Sequence, residues 1–107
     1  MTDKFKTLKN YARRLTSKPG VYSILNEKDD VIYIGKAKNL KKRVSSYFAS
    51  VHSEGKKEAI LKETNSISIT ITRTEREALI LENTLIKKHR PKFNVLLKDG
   101  KSYPYIE

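Results

Sequence analysis

"PGVYSILNEKDDVIYIGKAKNL", residues 19 to 40, is the stretch that decides the fold. "VYSIL" and "VIYI" are rich in β-branched and aromatic side chains, and the polar "NEKDD" between them is turn-forming, so residues 21 to 34 read as a β-hairpin. Gly35 is expected to close the second strand. Tyr22 and Tyr33, one on each strand, can then lie near the same end of the sheet.

Working outward, the apolar period changes from that of a strand to that of a helix. Leu40, Val44, Tyr47 and Phe48 recur at helical spacing, with Asn39 placed as N-cap. Before the hairpin, Phe5, Leu8, Ala12 and Leu15 form one face of an amphipathic helix over residues 3 to 15, which "SKPG" stops. A weaker helix near residues 54 to 63 is interrupted by Gly55. "SISITIT", residues 66 to 72, alternates without a break and sets Ile67, Ile69 and Ile71 on one face of a strand. Thr74 followed by Glu77 matches a capping box for a last helix, and Pro91 cannot continue it. The order α-β-β-α-(α)-β-α predicts an α/β (α+β) sandwich with a small three-stranded, mostly antiparallel sheet flanked by helices. At 107 residues the chain is the size of one domain, residues 1 to 107.

Lys and Arg number 23 against 12 Asp and Glu, a formal charge of +11. Such a field favours a polyanionic partner, either nucleic acid or an anionic membrane surface. No stretch approaches the length of a spanning helix and no signal-peptide pattern opens the sequence, so the expectation is a soluble cytoplasmic protein with no membrane partner. The absence of cysteine excludes a disulfide framework, a thiolate zinc site and a cysteine nucleophile.

Chemistry is suggested first by "REALILENTLIKKHRP", residues 76 to 91. On a helical wheel Ala78, Leu79, Leu85 and Ile86 form one stripe, with Glu82 in its middle. An ionised carboxylate in a dry setting is costly unless something compensates it. Two readings stand: a core-edge acid paired with a neighbouring Lys or Arg, or a hard oxygen ligand for Mg²⁺ or Mn²⁺, completed by water and substrate phosphate. In "YIGKAKNLKKRVSSYF", residues 33 to 48, cations lie beside tyrosines. Arg43 and Tyr47, four apart, are neighbours on the helix, with Arg43 at the margin of the apolar stripe. Lys38, Lys41 and Lys42 read as solvated charge or phosphate contacts. A phenol of pKa about 10 is a poor base at neutral pH, and nearby cations or a metal would lower it. His52 and His89 read as non-ligands.

"GVY" at residues 20 to 22 and "YIG" at residues 33 to 35 resemble the paired signature of GIY-YIG nucleases, with Val in place of the first Ile. Together with "YIGKAKNLKKRVSSYF" and "EREALILENTLIKKHRPKFNVLLKDGKSYPYI" they resemble the N-terminal nuclease domain of the UvrC family, from about Leu15 onward. The resemblance implies the GIY-YIG nuclease fold and a site of Tyr22, Tyr33, Lys36, Arg43, Tyr47, Glu82 and Asn94. Glu82 would hold a single Mg²⁺ or Mn²⁺, and Arg43 would stabilise charge on the phosphate. Tyr33 or Tyr22 would activate water, with Lys36 favouring the phenolate, while Tyr47 and Asn94 would orient phosphate or supporting groups. Lys38, Lys41, Lys42, Lys87, Lys88 and Arg90 would add contacts to the DNA backbone.

At the level of the whole protein the resemblance implies incision on the 3′ side of a lesion in nucleotide excision repair. The partners would be damaged duplex DNA and UvrB, the latter met mainly through a region beyond this chain. The chain would be an excised N-terminal, monomeric domain. The alternatives are a stand-alone UvrC-like repair nuclease, another GIY-YIG enzyme, or an inactive DNA-binding module of the same fold. The last should have lost at least one of Tyr22, Tyr33, Arg43 or Glu82, and all four are present.

Overall fold

A computed structural model describes residues 2–49 and 56–94 of the chain. The elements run α1 (Thr2–Arg13), β1 (Gly20–Leu25), β2 (Val31–Ala37), α2 (Leu40–Ala49), α3 (Lys56–Glu63), β3 (Ser66–Ile71) and α4 (Glu75–His89). The sheet order is β2-β1-β3, and both pairings are antiparallel. The expected order and three-stranded sheet are therefore found, with no parallel pair among the described strands.

The hairpin differs from expectation in two ways. Gly35 does not close β2, which continues to Ala37. The ladder also slips: Ile24 pairs with Tyr33 but Leu25 pairs with Val31, so Ile32 is an extra, bulged residue. The turn is held by the Asn26 side chain, whose Oδ1 accepts from the N–H groups of Lys28 (2.8 Å) and Asp30 (3.0 Å). Asp29 takes a left-handed conformation there, at φ 64°.

Cross-strand partners project to the same side of a sheet, and this sorts the core. On one side Tyr22, Ile24 and Ala37 are buried with Leu8 and Ala12 of α1 and with Leu40, Val44 and Phe48 of α2. Tyr33, Ile67 and Ile69 pack against that cluster, only partly buried because β2 and β3 are edge strands. On the other side Val21 and Ile34 meet Ala78, with Val31, Leu81, Leu85 and Ile86 around them. The sheet thus lies between α1 and α2 on one face and α4 on the other.

Each helix end has a local cause. Asn39 Oδ1 accepts from Lys42 N–H at 2.9 Å, the expected cap of α2. Thr74 Oγ1 accepts from Glu77 N–H at 3.1 Å, and the Glu77 carboxylate reaches back to Arg73 N–H at 2.8 Å, one residue earlier than the usual box. α4 ends where Arg90 turns left-handed (φ 47°, ψ 57°) and returns its N–H to Ile86, just before Pro91.

The α4 stripe is rotated from the expected one. Its sheet-facing residues are Ala78, Leu81, Leu85 and Ile86, while Leu79 and Ile80 are 43% and 58% exposed. With apolar residues at 78–81, 85 and 86, two overlapping stripes are available to the helix. Val21 and Ile34 select the one that includes Leu81. Glu82, between Ala78 and Ile86 on the wheel, is consequently off the centre of the packed stripe and half-buried. Among the described residues no helix is long and apolar enough to cross a membrane.

Candidate active site

Tyr22 lies opposite Gly35 and Tyr33 opposite Ile24, so the two tyrosines are diagonal neighbours on one face of the hairpin. Their ring centroids are 6.2 Å apart and the planes are inclined by 46°. The two phenols lie close enough to act on each other's protons. Tyr22 is 4% exposed and Tyr33 half-buried, which leaves the Tyr33 oxygen as the more accessible of the two.

Both phenols hold their protons more tightly than an ordinary tyrosine of pKa 10.0. For Tyr22 the main cause is burial, followed by the charge of Tyr33; Arg43 opposes the shift and Glu82 adds to it. For Tyr33 burial again leads, then the Glu82 carboxylate, against which Arg43 and the neighbouring Tyr22 hydroxyl both act. Arg43 lowers both, as expected of a nearby cation, but desolvation outweighs it. The same influences show that Arg43 and Glu82 are brought to the tyrosine pair from two different helices.

Other expected site residues are placed differently. Lys36 pairs with Val21, whose side chain packs with Ala78 of α4, so Lys36 projects to the α4 side, away from the face that carries the two rings. That geometry gives it no direct hold on the Tyr33 phenolate. Asn94 is buried, and both its side-chain groups are committed to backbone: Oδ1 accepts from Ile34 N–H at 2.8 Å and Nδ2 donates to Ile34 C=O at 2.9 Å. An antiparallel residue points its N–H and C=O to the same edge, so the amide stands where a neighbouring strand would pair. Asn94 thereby fixes the outer edge of β2 between Tyr33 and Gly35. Pro91 and Phe93, both buried, carry the chain around that edge.

The side chain of Tyr47 and all of His52 lie outside the described residues. Lys41 is exposed on the first turn of α2, and Lys87, Lys88, His89 and Arg90 are exposed at the end of α4, where positive charge complements the helix dipole.

Gly35 is a site residue that the sequence reading missed. A Cβ there would lie 2.6 Å from both Cζ and Oη of Tyr22, so the phenol occupies the space a side chain would fill. The available signal was a glycine inside a strand, which often marks close approach by another group.

Among the described residues no three His, Cys, Asp or Glu side chains gather into a metal cage. A half-buried single carboxylate reachable by solvent nevertheless suits a hard, water-rich cation, because Mg²⁺ commonly takes one or two carboxylates and completes its shell with water and phosphate. The donor set therefore fits Mg²⁺ or Mn²⁺ on Glu82 and does not fit a zinc site.

The family pattern described as the UvrC-like GIY-YIG domain matches residues 18–95. The chain belongs to the UvrC-like GIY-YIG domain family. It is 51% identical over 109 residues to the UvrABC system protein C of Hydrogenovibrio crunogenus, covering 99% of this chain and 18% of that protein. Against the UvrABC system protein C of Idiomarina loihiensis it is 56% identical over 97 residues, covering 91% of this chain and 16% of the relative. The chain thus spans less than a fifth of the length of these relatives. The crystal structure of the GIY-YIG N-terminal endonuclease domain of UvrC from Thermotoga maritima, bound to its catalytic divalent cation, magnesium, is 38% identical with a TM-score of 0.74, covering 82% of this chain and 96% of that one. The GIY-YIG fold expected from the paired tyrosine motifs is the fold found.

Proposed function

We propose that the chain is a metal-dependent DNA endonuclease domain that hydrolyses one phosphodiester, making the 3′-side incision in nucleotide excision repair within a longer UvrC-type protein. The carrying observation is the Tyr22–Tyr33 pair, ring centroids 6.2 Å apart on one face of the hairpin, with Arg43 and Glu82 both acting on its phenols. A divalent cation on Glu82 would supply Lewis-acid stabilisation of the charged phosphate.

Tyr33 is the better candidate for general base. It is less buried than Tyr22, so forming its phenolate costs less desolvation. Tyr22 packs beside the Tyr33 ring and orients it. Compensating the Glu82 charge would remove one of the influences that hold the Tyr33 proton in place. Arg43 adds a fixed positive charge where the attacked phosphate gathers negative charge. With Tyr33 ionised, the attacking water would give its proton to the Tyr33 phenolate as its oxygen bonds to phosphorus, while the bond to the 3′ oxygen breaks and that oxygen takes up a proton from solvent. Asn94 and Gly35 act through others: the first holds the β2 edge and the second seats the Tyr22 phenol. UvrB and damaged duplex DNA are the proposed partners, consistent with membership in the UvrABC system of the relatives above.

The test is incision of nicked or UvrB-bound damaged duplex in Mg²⁺ and in EDTA. Glu82→Ala should abolish cleavage with DNA binding mostly kept, and Tyr33→Phe should remove the alkaline rise in rate that Tyr22→Phe retains. Full cleavage by Glu82→Ala would sink the metal-ligand assignment.

A further inference from the structure

Beside the tyrosine pair, the start of α2 carries an open cleft of about 590 Å³, lined by Ser17, Lys38, Asn39, Lys42, Arg43 and Ser46. Three of these residues are cations and none is an acid. The first N–H groups of α2 are already used: Leu40 donates to Lys18 C=O (3.1 Å), Lys41 to Thr16 C=O (2.9 Å), Lys42 to Asn39 Oδ1 (2.9 Å) and Arg43 to Asn39 C=O (3.0 Å). An anion in this cleft would therefore be held by side chains and not by the helix end. Two ammonium groups, a guanidinium and the Ser17 hydroxyl are donors suited to phosphate oxygens, while the Ser46 hydroxyl already donates to Arg43 C=O at 3.3 Å. Lys41 lies between the two lysines in sequence but does not line the cleft.

Arg43 joins the cleft to the reaction centre. It lines the cleft wall and also acts on the charge of both tyrosines. A strand whose attacked phosphate lies at Arg43 would bring an adjacent phosphate to Lys38 and Lys42. We propose that this cleft is a second phosphate subsite, in which Lys38 and Lys42 together hold one backbone phosphate neighbouring the scissile one. The proposal rests on the nuclease reading above. Lys38 and Lys42 then act as a unit on a single phosphate, whereas Lys41 contributes only to the general positive field.

The test is fluorescence anisotropy of the 107-residue chain on labelled duplex DNA, in EDTA, between 50 and 200 mM KCl. Each neutralised duplex phosphate contributes about 0.9 to the slope of log affinity against log salt. The double variant K38A/K42A should lose about that much slope, so the parent's advantage over it narrows about three- to fourfold across the range. Each single variant should lose part of the slope, and Lys41→Ala should weaken binding by less than either. Lys28→Ala, in the β1–β2 turn at the far end of the hairpin, should change nothing. An unchanged slope in K38A/K42A, a loss near twice as large, an equal effect of Lys41→Ala, or no DNA binding by the parent would each overturn the subsite. Cleavage of nicked duplex in Mg²⁺ judges the nuclease reading separately: K38A/K42A should raise KM with kcat largely kept. A parent that binds with the expected slopes but never cleaves refutes the nuclease reading, and with it the neighbouring scissile bond, and leaves Lys38 and Lys42 as a site for one backbone phosphate.

Discussion

Replacing Gly35 by alanine should move the Tyr22 phenol and do little else. The added Cβ would stand 2.6 Å from Tyr22 Cζ and Oη and 3.0 Å from Cε1, about 0.8 Å short of ordinary contact. Tyr22 cannot simply swing away, because it is 4% exposed and packed within the buried core cluster. Forcing one methyl into such a site costs about 1–3 kcal/mol. The cost should belong to the pair and not to the strand, since alanine is tolerated in β2 where space exists, as Ala37 shows. Tyr22→Leu vacates the space above Gly35 without emptying the core. In that background Gly35→Ala should cost less than about 0.5 kcal/mol, giving a coupling energy of about 0.5–3 kcal/mol by double-mutant cycle. Urea denaturation of the four proteins measures it. A Gly35→Ala penalty that is the same in both backgrounds would show that the strand backbone, and not the phenol, requires glycine, and the seating role would fall.

Asn94→Asp keeps the acceptor for Ile34 N–H but turns a second oxygen toward Ile34 C=O, so it should destabilise by about 1–3 kcal/mol, as much as Asn94→Ala; loss of amide exchange protection at Ile34 is the specific readout. Tyr22 and Tyr33 bind their protons more tightly folded than unfolded, so above pH 10.0 the unfolded chain loses protons first. Stability should therefore fall as pH rises from 10, and melts of Tyr22→Phe should show a slope shallower by up to about 1.4 kcal/mol per pH unit; an equal or steeper slope contradicts the burial argument. Arg90 holds a left-handed conformation that glycine adopts without strain, so Arg90→Gly should raise stability by about 0.5–1 kcal/mol, read as a higher urea midpoint at unchanged m.

Local chemistry made much of this fold legible. The hairpin, the alternation of Ile67, Ile69 and Ile71, the Asn39 and Thr74 caps and the stop at Pro91 each depend on neighbours within a few residues, and each stands within a residue or two of its expected place. The less legible parts depended on partners far along the chain. Whether Leu79 or Leu81 faces inward is set by Val21 and Ile34, some 50 residues away. The two-fold commitment of Asn94 to Ile34 spans 60 residues. The bulge at Ile32 shifted the pairing in a way that strand alternation alone does not encode.

For the site, the residue types and their spacing carried the identity of the chemistry: two strand tyrosines, an arginine on the next helix and an acid on the last. Those are properties of side chains, and side chains are written in the sequence. What the tertiary structure decided is how those groups influence one another. Burial, which no single residue owns, raises both phenols against the pull of Arg43, and the pleat sends Lys36 to the opposite face. Gly35 gains its importance only because the fold lays Tyr22 across it. Sequence determined which groups are available, and packing determined which of them meet, because desolvation and contact are set by residues brought together from distant parts of the chain.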